Sequence, residues 1–174
     1  MNITKLLFAA LAALLITACS GDGLTSSLGC NETTNINHIF LNGEKLDFKP
    51  TKVFANKYND ISYRVIMINY DFSDYSEFGK LKEGQTKVVF MLSNPGEDGF
   101  EEGSYDPLAK TNKASFNVTV GENNYHYATR SNGEGYGSAE ITYITDKGVC
   151  GSAKLKSMDD HELDFTFSAE NIKL

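Results

Sequence analysis

The sequence predicts a single all-β domain, either an antiparallel β-sandwich or an up-and-down β-barrel of about 8–10 strands. Three observations support this fold class. Apolar and polar residues alternate with a period of two through most of the chain after residue 35. The connections between these runs are mostly short, which favours antiparallel neighbours because parallel pairs need long crossovers. No convincing amphipathic helix interrupts the pattern.

The composition is that of a globular protein and excludes several other classes. The 174 residues are 41% hydrophobic and 22% charged, with 3 prolines and no tryptophan, which argues against a disordered, collagen-like or coiled-coil chain. The net charge of −7 argues against nucleic acid as a partner, because phosphate binding requires clustered Lys and Arg. Three cysteines are too few for a disulfide-dense scaffold.

The N-terminus is organised like a secretory signal peptide. Lys5 supplies positive charge, and an unbroken run of 11 apolar residues extends from Leu6 to Ile16. A helix of this length rises only ~16 Å, which is about half of the hydrocarbon core of a bilayer, so the run is too short to span it. A buried N-terminal helix is the alternative, but no capping residue opens the run and no later helix would pack against it.

The end of this segment is its most specific feature. Ile16-Thr17-Ala18-Cys19 resembles the lipobox of bacterial lipoproteins, in which a branched residue and two small residues precede an invariant cysteine. The resemblance implies a signal peptide over residues 1–18, a diacylglyceryl group on Cys19 and a fatty acid such as palmitate on its new amino group. Two or more acyl chains anchor a protein stably to a bilayer. By analogy with Gram-negative lipoproteins, Ser20 favours the outer membrane.

The two remaining cysteines, Cys30 and Cys150, form an even pair in a chain predicted to enter a disulfide-permissive compartment. A bridge between them would close a loop of about 120 residues, for which the chain-entropy model gives ~4.7 kcal/mol. Two separate buried thiols are the alternative, and a metal site is less favoured because CxxC spacing and nearby histidines are lacking. Cys150 shares the polar face of its strand, so the bridge should attach the N-terminal segment outside the sheet.

A flexible tether leads into the β domain. Residues 19–35 contain the lipidated cysteine and a linker of small residues, and the antiparallel domain is predicted over residues 36–174. Its first hairpin turns at Asn42-Gly43, the pair that a type I′ turn favours because both residues adopt positive φ. Further strands are predicted near residues 52–57, 61–71 and 87–93. Residues 65–68 are apolar on both faces, so their strand should be central in its sheet.

The second half of the chain alternates more regularly. Strands are predicted near residues 115–120, 125–130, 138–143, 149–157 and 163–170. The longest connection, residues 94–111, is expected to cap one end of the sheet.

Four motifs carry a resemblance to a group of proteins. In chain order they are the hairpin 41–48, the segment 102–105, the strand 137–143 and the strand 150–155. This order is similar to that of small all-β lipoproteins of uncharacterised function in Gram-negative envelopes. The resemblance implies a fold and a location, and it identifies no catalytic residue.

Few residues are candidates for chemistry. His38 and His126 are expected on solvated strand faces and His161 in a polar turn, and no metal-ligand spacing connects them. The sequence contains no nucleophile elbow, phosphate loop or nucleotide motif, so it predicts no cofactor. The acidic loop 96–106 is a weak calcium candidate, for which a solvated loop is the preferred interpretation. Its carboxylates belong to Glu97, Asp98, Glu101, Glu102 and Asp106.

The aromatic residues suggest a second candidate site. In a sandwich they would form the core, whereas in a barrel they would line an apolar ligand cavity of the lipocalin type. A lipocalin would carry a tryptophan near its first strand, and this chain has none. The residues predicted to share one side of the sheet are Phe116, Tyr125, Tyr127, Tyr143, Phe165 and Phe167.

The leading functional prediction is a non-enzymatic, lipid-anchored envelope protein that acts through binding or assembly. Its predicted partners are the membrane, through the lipid anchor, and an envelope protein or a small apolar ligand. One alternative is a lipocalin-like carrier of a small apolar molecule. The other is an enzyme acting on envelope polymers, for which the acids of the loop 97–106 are the candidates.

Overall fold

The computed structural model describes residues 28–72, 78–127 and 136–172. The predicted signal peptide, Cys19 and the first part of the tether lie outside the described residues. Within the described ranges, no helix has both the length and the apolar character needed to cross a membrane.

The described residues form strands that belong to two antiparallel sheets. In chain order the strands are β1 (Asn35–Leu41), β2 (Glu44–Lys45), β3 (Lys52–Asn59), β4 (Ser62–Ile68), β5 (Thr86–Ser93), β6 (Gly103–Tyr105), β7 (Lys113–Val120), β8 (Asn123–His126), β9 (Tyr136–Ile144), β10 (Gly148–Lys156) and β11 (Glu162–Glu170). The six-stranded sheet has the order β2-β1-β11-β10-β9-β6, and the five-stranded sheet has the order β3-β4-β5-β7-β8. The sheets pack as a sandwich and do not close into a barrel, so the all-β prediction is confirmed in its sandwich form.

Two local predictions are confirmed by the geometry. Asn42 and Gly43 have φ values of 53° and 78°, as a type I′ hairpin turn requires. Strand β4 lies between β3 and β5, and residues 65–68 are all buried. The two faces of this strand therefore contact apolar side chains, as its sequence indicates.

The main core lies between the sheets and consists of the inward side chains of both. The Phe90 ring of the five-stranded sheet lies 5.4 Å from the Phe165 ring and 5.3 Å from the Phe167 ring of the opposite sheet, between ring centroids. Such tilted contacts suit the charge distribution of aromatic rings. Aromatic packing thus joins the two layers.

A second apolar cluster covers part of the outward face of the five-stranded sheet. Phe54, Ile66 and Ile68 point outward, where Tyr70 and Phe78 from the connection between β4 and β5 cover them. The Tyr70 hydroxyl donates a hydrogen bond of 3.1 Å to the Phe78 carbonyl. This connection therefore forms a wall on one half of the face and leaves the other half open.

The predicted disulfide between Cys30 and Cys150 is present, and the two Cα atoms are 6.6 Å apart. The bridge lies on the outward face of the six-stranded sheet, as predicted. Thr34 supports it there, because its hydroxyl accepts a hydrogen bond from the Ser168 backbone N–H at 3.1 Å. The segment that enters the domain is thereby fixed against the outside of β10 and β11.

The long connection 94–111 does more than cap the sheet. It contains the edge strand β6, whose Gly103 and Tyr105 pair with Ile141 and Ala139 of β9. The connection also packs the Phe100 ring 5.7 Å from the Tyr63 ring. It therefore extends the six-stranded sheet and closes one end of the sandwich.

Candidate ligand-binding groove

The aromatic residues predicted as ligand-lining candidates have two different environments. Phe116, Phe165 and Phe167 are buried in the core, and Tyr125 and Tyr127 pack against it. Tyr143 is only half-buried, and its hydroxyl accepts a hydrogen bond from the Thr145 hydroxyl at 3.1 Å. Ring contacts within the sandwich occupy the space between the sheets, where a barrel would have its ligand cavity.

The acidic loop keeps its carboxylates in solvent. Glu97, Asp98, Glu101, Glu102 and Asp106 are all exposed. The loop is organised by the buried Tyr105, whose hydroxyl donates to the Glu101 carbonyl at 3.0 Å and accepts from the Glu101 N–H at 3.2 Å. Within the described ranges, three metal-capable side chains converge only at Cys30, Glu32 and Cys150, where the sulfurs form the disulfide. Calcium binding by the loop stays a prediction.

The three histidines differ in burial. His38 is half-buried, and its Nε2 lies 2.7 Å from Glu162 Oε1, while His126 is exposed. His161 lies in the turn between β10 and β11, as predicted, but its side chain is only 5% exposed. Its Nδ1 accepts the Asn42 N–H at 3.0 Å, and its ring lies 5.5 Å from the Tyr125 ring. The imidazole is buried because it supports the neighbouring hairpin turn.

The structure reveals a groove that the sequence does not indicate. It has a volume of about 840 Å³ and lies on the open half of the outward face of the five-stranded sheet. Residues 79–81, next to the apolar cluster, form one wall, and the turn at residues 121–122 forms the other. The floor consists of outward side chains from β4, β5, β7 and β8: Arg64, Lys87, Val89, Met91, Asn117, Thr119, Asn124 and His126.

Antiparallel register places these floor residues beside one another. Lys87 of β5 is opposite Thr119 of β7, which is opposite Asn124 of β8. In the next row, Val89 is opposite Asn117, and Asn117 is opposite His126. Cross-strand partners have Cβ atoms about 4.5–5.5 Å apart, so each row presents neighbouring groups to one ligand.

Three cations line the groove together with the carboxylate of Glu122. The two cations in its floor, Arg64 and Lys87, have no carboxylate partner among the described residues. The Arg64 guanidinium lies 3.9 Å from the centre of the Tyr58 ring. The Lys87 ammonium lies 4.7 Å from the centre of the Phe78 ring and donates to the Phe78 carbonyl at 3.4 Å. Among the described residues, no carboxylate lies within 4.0 Å of either cation.

The electrostatic state of Lys87 reflects this lack of compensation. Burial lowers the pKa of its ammonium below the ordinary 10.5, and the positive charge of Arg64 lowers it further. Both effects disfavour the charged form. A bound anion would oppose both, because it would supply the missing negative charge.

The far side of the floor carries a network of neutral polar groups. The Asn117 amide lies 2.6 Å from His126 Nδ1, and the Asn124 amide lies 3.2 Å from His126 Nε2. The Thr119 hydroxyl is within 3.3 Å of the Asn117 amide oxygen and 3.1 Å of the Asn124 amide oxygen. Each side chain is held by two others, so the network is preorganised.

The sequence contains only one local signal of this site. Arg64 directly precedes the apolar run 65–68 of β4, and it is the one residue of this strand that is only half-buried. Asn117, Thr119 and His126 occupy the polar positions of alternating strands, and this pattern alone is typical of a solvated face.

Comparisons of the chain with protein-family models, with curated proteins and with solved structures find no match.

Proposed function

We propose that this chain is a lipid-anchored protein of the bacterial cell envelope, placed in the outer membrane, that acts by binding an anionic ligand in the groove. The lipobox-like end of the signal segment supports the anchor, and the small-residue linker after Cys19 supports a domain held away from the bilayer. The disulfide supports export to an oxidising compartment.

The observation that carries the binding proposal is the pair of cations Arg64 and Lys87, which have no carboxylate partner in the described part of the chain. Removing a charge from water is unfavourable unless a partner compensates it. The chain has excess negative charge and 23 acidic residues, yet no carboxylate of the described residues pairs with these two cations. A protein of this net charge that places three cations and one carboxylate around a concave surface is suited to an anion from outside the chain.

The other predicted functions have weaker support. A carrier of an apolar molecule needs an internal cavity, and the candidate aromatic side chains instead pack into or against the core. The enzyme alternative depends on the acids of the loop 97–106, and all five carboxylates are exposed to solvent. The binding role is therefore the function that the described geometry supports best.

Anion-dependent stabilisation tests the groove. The domain from residue 20 onward is expressed in the periplasm, and its melting temperature is measured with citrate, inorganic sulfate and inorganic phosphate at constant ionic strength. We expect at least one anion to raise the melting temperature of the wild type, because a ligand that binds only the folded state stabilises it. Arg64→Gln and Lys87→Met should lose the increase.

Lys154→Gln is the matched control, because Lys154 is an exposed cation on the opposite outward face, 3.5 Å from Asp164. It should keep the response of the wild type. An equal increase in all four proteins, or no increase with any anion, would contradict binding in the groove.

Labelling of the full chain tests the lipid anchor. Cells that express it are grown with an alkyne-bearing palmitate analogue, and the Cys19→Ala variant is the control. We expect label on the wild type in the outer-membrane fraction and none on the variant. A wild type without label in the soluble periplasmic fraction would overturn the anchor and leave the groove hypothesis intact.

A further inference from the structure

We infer that the ligand of the groove is an acidic oligosaccharide, an inference that rests on the proposed anion-binding function. The groove has two chemically different halves. Arg64 and Lys87 form a cationic half on β4 and β5, and the polar network of Asn117, Thr119, Asn124 and His126 forms a neutral half on β7 and β8. A carboxylate sugar combines the two chemical groups that these halves recognise.

The neutral half is suited to hydroxyl groups. The nitrogens of both amides are placed toward His126. Neutral imidazole has one N–H donor and one acceptor nitrogen, so one of the two amides must be turned over to present its oxygen. The network then closes into a circuit in which each of the four side chains donates one hydrogen bond and accepts one. In that circuit each of the two amides keeps an N–H and an oxygen lone pair unused. Sugar hydroxyls both donate and accept, so adjacent hydroxyls can bind these pairs.

The cationic half is suited to a carboxylate. The planar guanidinium of Arg64 matches the two oxygens of a carboxylate. The Lys87 ammonium is a second, separate cationic contact, because Lys87 lies four residues along β5 from Met91, the cross-strand partner of Arg64. Lys87 is the direct cross-strand neighbour of Thr119, so the two halves meet at this pair. A ring whose carboxylate contacts Lys87 would hold its hydroxyls over Thr119 and Asn124.

The size of the groove favours more than one sugar ring. From β4 to β8 there are three inter-strand spacings, which amount to roughly 14 Å, longer than a single hexose. Val89 and Met91 lie in the floor and offer apolar contact for the C–H face of a ring. A small inorganic anion would use only the Arg64 and Lys87 side and leave the polar network without a ligand.

Nucleic acid fits the same groove less well. It is a dense polyanion, and the chain carries a net charge of −7 that would repel it. Single-stranded nucleic acid is bound by stacking of bases on aromatic side chains, and the described lining of the groove contains histidine but no Phe, Tyr or Trp. Oligosaccharides carry fewer charges per unit length and need hydroxyl partners, which the groove provides.

Titration calorimetry with matched sugars tests the inference. The probes are trisaccharides of galacturonic acid and mannuronic acid, the methyl ester of the galacturonic acid trisaccharide, the galactose trisaccharide, citrate and a short single-stranded oligonucleotide. We expect at least one acidic trisaccharide to bind at least tenfold more tightly than citrate. The ester and the galactose trisaccharide should bind at least tenfold more weakly than the acid.

Variants separate the two halves. Arg64→Gln should weaken binding of the acidic trisaccharide and of citrate alike. Thr119→Val and Asn124→Ala should weaken binding of the acidic trisaccharide at least fivefold and leave binding of citrate unchanged. Lys154→Gln should change neither, and thermal unfolding of each variant verifies that it is folded.

The outcomes distinguish this inference from the proposed function. If citrate binds in an Arg64-dependent way and neither acidic trisaccharide binds more tightly, the saccharide inference is overturned and anion binding stands. Tighter binding of the oligonucleotide than of the trisaccharides likewise overturns only the saccharide inference. Equal binding of acid, ester and galactose forms, or no binding by any probe, overturns both.

Discussion

The two outward faces of the sandwich differ in how their charged side chains are paired. On the six-stranded sheet, charged groups are compensated across strands: Lys154 Nζ lies 3.5 Å from Asp164 Oδ2, and the Asn37 amide donates to Asp164 Oδ1 at 2.6 Å. His38 and Glu162 form a third contact at 2.7 Å. These polar groups of the face satisfy one another.

The outward face of the five-stranded sheet is divided instead. Half of it is apolar and covered by Tyr70 and Phe78. The other half is an open groove, in whose floor Arg64 and Lys87 have no carboxylate partner within the described ranges. Both faces are built by the same alternation of strand residues. This difference is the reason for placing the proposed ligand in the groove, where Arg64 and Lys87 have no carboxylate partner among the described residues.

The largest expected effect concerns the compensated face. Replacing both Cys30 and Cys150 by serine should destabilise the domain by about 2–5 kcal/mol, because the bridge restricts a long loop of the unfolded chain. Urea unfolding of the two proteins measures this difference. Since the bridge lies on the opposite face, anion binding in the groove at a temperature where the variant is folded should be unchanged. A loss of binding in the folded variant would contradict the independence of the faces.

The next largest loss of stability is expected from a substitution in the apolar half of the outward face of the five-stranded sheet. Phe54→Ala removes a ring that lies 6.1 Å from the Phe78 ring and should cost about 3 kcal/mol. Unlike the disulfide change, it should also weaken anion binding, because Phe78 positions the Lys87 ammonium through its ring and its carbonyl. Urea unfolding and calorimetry on the same variant measure both effects. Unchanged binding in the folded variant would show that the covered half does not support the groove.

Tyr63 provides a test at alkaline pH that involves neither outward face. Burial raises the pKa of its hydroxyl from 10.0 to about 12, and the charge of Asp146 adds to this, although the hydrogen bond to Asn171 lowers it. The unfolded chain loses this proton first, so the stability associated with Tyr63 is present below pH 10 and declines as pH rises toward 12. Near neutrality, Tyr63→Phe should lower the free energy of unfolding by about 1 kcal/mol, because it removes the 2.7 Å hydrogen bond from the Tyr63 hydroxyl to Asn171.

The wild-type advantage over Tyr63→Phe should therefore shrink above pH 10. Urea unfolding at a series of pH values measures it, and Tyr127, present in both proteins, cancels in the difference. An advantage that stays constant to pH 12 would contradict burial of a neutral Tyr63 hydroxyl.

The smallest expected effect compares one lysine from each face. Lys87→Met should be neutral or stabilising near pH 7, because it removes a charge that burial disfavours. The folded pKa of Lys87 is below the ordinary 10.5, so the wild type should gain stability relative to this variant as pH rises through the folded pKa toward 10.5. Lys154→Met should instead cost no more than ~1 kcal/mol, as an exposed pair does. Thermal unfolding of both variants measures the contrast, and a clear loss for Lys87→Met would show that Lys87 is already compensated.

The sequence predicted the strands well where one signal was sufficient. Period-two alternation identified the strands of the sandwich core, and the Asn42-Gly43 pair identified the first turn, because both are local properties. The disulfide was predictable because Cys30 and Cys150 have few alternatives. The edge strand β6 was missed, since its residues, Gly103 to Tyr105, are too few to show alternation.

The groove could not be predicted in the same way. Lys87, Thr119 and Asn124 are far apart in sequence, and only the pairing of β5, β7 and β8 places them side by side. The burial of His161 likewise depends on a hydrogen bond from Asn42, across more than a hundred residues of chain. Strand register and tertiary packing determine both the assembly of the groove and the burial of His161, and neither can be inferred from a short stretch of sequence.

The most direct test of the account is an NMR titration of the folded domain with the galacturonic acid and mannuronic acid trisaccharides and with citrate. The backbone amide signals report both outward faces in one experiment. If the ligand binds in the groove, the amide chemical shifts should change mainly at residues 64, 87–91, 117–119 and 124–126. The signals of residues 150–156 and 162–168 should be unchanged. Shifts centred on the six-stranded sheet, or no shifts with any of the three ligands, would contradict binding in the groove.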